Sequence, residues 1–122
     1  MKKILCALLL TLPIGAFADH IDVIEVQLNE SCSLSTYLAI KDDFNEQWAK
    51  KYNYHAEVLV PIQSNNLTSL FWVGRSTNAA VFGKAWDQWN SDLMDPDSVA
   101  SKQWARFLDC GANIARRGYD AY

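Results

Sequence analysis

Between two helical stretches the chain reads YHAEVLVPIQSNNLTSLFWVGR, Tyr54 to Arg75. Its first ten residues alternate, with Ala56, Val58, Val60 and Ile62 on one side and His55, Glu57, Leu59 and Pro61 on the other. That period of two is a half-buried strand. Pro61 has no N–H to give to a ladder, so this strand belongs at a sheet edge. Ser64-Asn65-Asn66 is a turn cluster. Ser69 to Arg75, SLFWVGR, is apolar almost throughout and reads as a central strand. Two strands in succession, flanked by helical periodicity on both sides, define the middle of a split βαβ arrangement.

On the N-terminal side, Leu34 to Tyr52 has helical period, with Tyr37, Ile40, Phe44 and Trp48 on one face. Ser33 or Ser35 is placed to cap it, and Glu46 and Lys50 stand in the favourable i, i+4 order. Before it, His20 to Leu28 (HIDVIEVQL) alternates, Ile21 and Val23 on one face and Ile24, Val26 and Leu28 on the other. Toward the C-terminus, Asn78 caps a helix on which Phe82, Ala85, Trp86, Trp89 and Leu93 share a face. Asp95-Pro96 is expected to restart helix, as a capping Asp followed by Pro at the first helical position. That segment carries Val99, Trp104, Phe107 and Leu108, and Gly111 ends it. Ala112 to Tyr122 is read as a last strand. The order βαββαβ predicts an α+β, ferredoxin-like antiparallel sheet with strand order 4-1-3-2 and helices on one face.

The N-terminus carries a different signal. Met1-Lys2-Lys3 is a basic head, Ile4 to Leu12 an apolar run, and Ala16-Phe17-Ala18 a small-residue cleavage site. This is the order of a secretory signal peptide, residues 1–18, which leaves 19–122 as one ferredoxin-like domain bound for the periplasm or the medium. The apolar run is too short to span a membrane, and no membrane association is expected after cleavage. Cys32 and Cys110 then remain as an even pair in an oxidising compartment and are expected to form a disulfide.

Composition narrows the classes. Of 122 residues, 50% are hydrophobic and 20% charged, with a formal net charge of −3. That apolar content excludes a disordered chain, and the acidic balance excludes the basic footprint of a nucleic-acid binder.

The element order, with SLFWVGR followed by FGKAWDQW (Phe82–Trp89), resembles the dimeric α+β barrel superfamily, in particular NIPSNAP-like domains. The resemblance covers most of residues 19–122. It implies a homodimer of two sheets face to face, with a cavity between each sheet and its own helices. Some members of that superfamily are cofactor-independent oxygenases, some degrade haem, and many have no known activity.

Five tryptophans, Trp48, Trp72, Trp86, Trp89 and Trp104, lie in residues 19–122. They suit an aromatic-lined pocket for a flat or apolar ligand. The alternative is core and dimer-interface packing, which the helical spacing of Phe82, Trp86 and Trp89 favours. The candidate ligand-binding residues are Trp48, Trp72, Trp86 and Trp89, with His55, Arg75 and Asn78 as polar candidates. His55 beside Glu57 reads either as a general base or as a solvated strand residue. Arg75 and Asn78 flank a helix N-terminus, where an anion can be held, or serve as a surface charge and an ordinary cap.

His20 would complete a terminal copper or nickel site only if cleavage fell after Phe17, so no metal is expected. Haem degradation in that superfamily uses a helical histidine, and both His20 and His55 fall on strands, so no cofactor is expected either. Asp42 and Asp43 point apart on their helix and read as surface charge. Arg116 and Arg117 read as solvated or paired with the acidic surface.

No catalytic motif emerges, and the reading leans away from an enzyme. The expected function is an exported ligand-binding or stress-associated module that dimerises around a tryptophan-lined cavity. A cofactor-independent oxygenase and a purely structural dimer are the alternatives.

Overall fold

Alternation sets the sheet. In the computed structural model, which describes residues 18–122, the strands are β1 (Asp19–Leu28), β2 (Tyr54–Leu59), β3 (Leu70–Ser76) and β4 (Gly111–Ala121). The expected export signal, apart from Ala18, lies outside the described residues. Every pairing is antiparallel and the spatial order is β2-β3-β1-β4, as expected from a right-handed split βαβ chain. Three helices complete the α+β, ferredoxin-like fold: α1 (Leu34–Gln47), α2 (Ala79–Asp92) and α3 (Val99–Cys110). Among the described residues no helix is long and apolar enough to cross a membrane.

The helix starts follow local chemistry. Ser33 accepts the Thr36 N–H and Asn78 accepts the Val81 N–H, each relieving a donor that the first turn leaves unpaired. Asp95 is not the cap of α3. Its carboxylate takes the Asp97 N–H at 2.9 Å in a local turn, and Ser98 caps the helix through the Ser101 N–H at 3.0 Å. A side chain committed to its own turn cannot also cap a helix three residues later.

Two other elements are shorter than the sequence suggests. α1 ends at Gln47, and Ala49–Tyr52 forms a 3-10 turn closed by Asn53 in the left-handed conformation (φ 53°). β2 stops at Leu59, two residues before Pro61, so Val60 and Ile62 fall in the exposed connection rather than in the sheet.

One face of the sheet carries the core. Tyr37, Ile40, Phe44 and Trp48, the stripe expected on α1, are all buried against Val26, Tyr54, Ala56, Leu70 and Trp72. Phe44 is the hub, with ring centroids 5.2 Å from Trp72, 5.5 Å from Trp89 and 5.9 Å from Tyr54. Gly74 exists to admit one of these rings: a Cβ there would sit 1.7 Å from the Tyr54 hydroxyl oxygen.

Cys32 and Cys110 form the expected disulfide, with Cα atoms 5.0 Å apart and a sequence separation of 78. Beside it, Asn29 ties the end of β1 to the end of α3, its N–H donating to the Cys110 carbonyl and its Nδ2 to the Asp109 carbonyl. Gly111 then turns directly into β4, where a Cβ would lie 2.7 Å from the Gln27 carbonyl oxygen.

Candidate functional site

The helices do not fill the space over the sheet. A cavity of about 310 Å³ remains between them. Its floor is Ile24 and Val26 of β1, Tyr54 of β2 and Trp72 of β3. Trp48 closes one side, Trp86 and Trp89 of α2 another, and Trp104 and Phe107 of α3 a third. All four tryptophans named from the sequence therefore line one space, together with Trp104. Two of them are anchored at their nitrogens, Trp48 donating to Asp92 at 2.8 Å and Trp72 to the Tyr54 hydroxyl at 2.9 Å.

One wall is polar, and it was not identified in the sequence. Asp22 on β1, buried to 2% exposure, takes two hydrogen bonds from Arg116 of β4, from Nε at 2.8 Å and Nη2 at 2.6 Å. The Tyr54 hydroxyl leans on the same carboxylate at 3.4 Å. Arg116 also covers the face of Trp86, its guanidinium carbon 4.0 Å from the ring centroid, a cation–π arrangement. Asn90 and Asn113 add carboxamides to the cavity lining. Burial holds the Tyr54 phenol well above the ordinary tyrosine range, with the Asp22 carboxylate pushing the same way, so Tyr54 stays a protonated donor. Burial does the same to Tyr37.

Beyond Arg116 a second, more open chamber of about 430 Å³ is lined by His20, Asp22, Phe82, Trp86, Arg116, Arg117 and Gly118. The two chambers share Phe82, Trp86 and Arg116.

The polar candidates named from the sequence lie elsewhere. His55 and Arg75 pair in register on the opposite, uncovered face of the sheet, where Arg75 meets Glu57 at 3.7 Å. Asn78 spends its side-chain oxygen on capping α2. Asp43 pairs with Arg106 of α3 at 2.7 Å, and Asp42 with Lys41. Among the described residues no group of three or more His, Cys, Asp or Glu is placed to hold a metal ion.

The missed wall had a partial signal. His20 and Asp22 share the β1 face of Ile24 and Val26, so period two already aims a carboxylate inward. Arg116 had none. A register irregularity between Glu25 and Val26 in the β1–β4 ladder breaks the phase by which its face could have been read.

No family model matches the sequence, and no curated protein matches it. Solved structures share its fold. SnoaB, a cofactor-independent oxygenase from Streptomyces nogalater, superposes with TM-score 0.56 over 86% of this chain and 94% of its own, at 7% identity. A conserved Bacteroides thetaiotaomicron protein of unknown function, described as a possible oxidoreductase, gives TM-score 0.55 over 86% and 99% at 8% identity. At such identity the likeness is one of fold alone.

Proposed function

We propose that the protein binds a small, flat, apolar or aromatic molecule in the cavity between its sheet and its helices. The convergence of Trp48, Trp72, Trp86, Trp89 and Trp104 on one space carries this reading. The volume, about 310 Å³, falls at the lower end of the ~300–1,000 Å³ common for small-molecule sites. Rings supply the apolar walls, and Tyr54 and Arg116, the latter held in place by Asp22, supply the few convergent polar groups that orient a ligand.

A second reading, a cofactor-independent oxygenase, is supported by that polar wall inside an aromatic cavity and by the fold shared with SnoaB. The NIPSNAP-like resemblance belongs with the same reading. The domain works as a homodimer, with a second copy seated on the uncovered sheet face. There Ile21, Val23, Phe71 and Val73 are flanked by the Glu25–Arg117 and Glu57–Arg75 pairs. Export to the periplasm or the medium fits the disulfide and the basic-apolar start of the chain.

Quenching of tryptophan fluorescence by naphthoquinone, a flat non-fluorescent probe, tests the cavity reading. The wild type gives saturable quenching, and Ala85→Phe, which fills the cavity from α2, abolishes it while the far-ultraviolet circular dichroism is kept. Quenching that does not saturate, or that Ala85→Phe leaves unchanged in a folded protein, contradicts it.

A further inference from the structure

His20 belongs to neither the aromatic core nor the solvent. It stands opposite Asp120 in the β1–β4 register, and Nδ1 faces the Asp120 carboxylate at 3.3 Å. Phe82 of α2 lies against the ring with centroids 4.4 Å apart, so the imidazole is held at one edge and on one face. Only 15% of its side chain is exposed.

The ring's remaining edge looks onto Gly118. A Cβ at that position would lie 3.3 Å from Cε1 and 3.5 Å from Nε2. Glycine there leaves room beside Nε2, in the chamber that Trp86 and Arg116 border. Among the described residues Nε2 has no hydrogen-bond partner, and Arg116 has Nη1 to spare after giving Nε and Nη2 to Asp22.

A carboxylate on Nδ1 selects the tautomer in which Nε2 carries a lone pair, which is how imidazole is prepared to accept a proton. The charged groups that face it are Asp22 of β1 and Arg116 and Asp120 of β4; Arg117 borders the chamber, but its side chain turns to Glu25 on the other face of the sheet. β3 contributes only Ser76 in register, and α2 the uncharged Phe82. The Ser76 hydroxyl is buried without a partner and is not bonded to the imidazole, so the row Ser76–His20–Asp120 is not a nucleophile–base pair.

We propose that His20, oriented by Asp120, is the proton acceptor for an aromatic ligand bearing an acidic hydroxyl. The apolar part of the ligand lies in the inner cavity and its hydroxyl in the outer chamber, between His20 Nε2 and Arg116. The O–H bond breaks, an N–H bond forms at Nε2, and the phenolate is left between the imidazolium and the guanidinium. No electrons change hands, and the proton returns to the oxygen or passes to water. This inference rests on the cavity being a ligand site and adds the class of ligand.

The probe is para-nitrophenol, whose phenol and phenolate absorb at different wavelengths, with para-nitroanisole as its hydroxyl-free control. Bound to the wild type, para-nitrophenol ionises about one pH unit lower than in water, a tenfold change in the phenolate-to-phenol ratio. His20→Gln removes the shift while para-nitroanisole still binds. Asp120→Asn, a milder change at a half-exposed position, reduces it. If both probes bind and His20→Gln leaves the ionisation unchanged, the inference is overturned and the cavity reading stands. If neither binds the wild type, both fall together.

Discussion

Asp22 and Arg116, 94 residues apart in sequence, are joined by two hydrogen bonds across the β1–β4 edge of the sheet. The pairing is asymmetric: the Asp22 side chain is 3% exposed and that of Arg116 is 38% exposed. Asp22 therefore depends on Arg116 more than Arg116 depends on Asp22, because only the arginine can turn to water.

Arg116→Ala should accordingly cost more than a surface ion pair would. It leaves a buried carboxylate with only the 3.4 Å contact from Tyr54, and a loss of about 3 kcal/mol is expected. Asp22→Asn, which keeps a polar group for Tyr54 and frees a guanidinium that reaches solvent, costs about 1–2 kcal/mol. Urea denaturation of both variants checks the order, and equal losses would refute the asymmetry.

The disulfide closes a loop of 78 residues, which on the chain-entropy model contributes about 4 kcal/mol. The double variant Cys32→Ser, Cys110→Ser should lose that amount, and reduced wild type should unfold at the same denaturant concentration as the variant.

Two glycines should respond with opposite signs. Gly74→Ala drives a methyl into the Tyr54 ring and should destabilise by about 2–3 kcal/mol. Gly83, inside α2 with nothing within 4 Å of an added Cβ, should gain about 0.5–1 kcal/mol as alanine. Thermal unfolding of the two variants measures the difference.

Alkaline pH should expose the buried phenols. Tyr37 and Tyr54 are held above their ordinary value of 10.0 in the folded state, so the unfolded chain releases these protons first. Their contribution is complete below about pH 10 and falls as the pH rises beyond it, by up to ~1.4 kcal/mol per pH unit for each group. Tyr54→Phe should flatten the alkaline limb of a stability–pH curve, and an unchanged slope would contradict the burial of this phenol.

The parts of the molecule readable from sequence are those governed by near neighbours. Alternation in HIDVIEVQL and SLFWVGR, the α1 stripe from Tyr37 to Trp48, and the caps Ser33 and Asn78 all rest on residues within a few positions of each other. Asp95 reads as a cap from its own sequence context, but a local turn consumes its carboxylate, and Ser98 caps α3 instead. The polar wall is different in kind. Asp22, Tyr54 and Arg116 come from three strands, and the β1–β4 irregularity hides which way Arg116 points. His55 and Arg75 carry the side-chain chemistry of a site, but strand phase puts them across the sheet from the tryptophans.

A flat ligand is expected to enter between sheet and helices. Proton–nitrogen correlation NMR of the five indole N–H groups during a naphthol titration tests it most directly. Shifts should centre on Trp86, Trp89 and Trp104, with the amides of His55 and Arg75 unmoved. Shifts confined to the His55–Arg75 face, or none at any indole, would contradict the account.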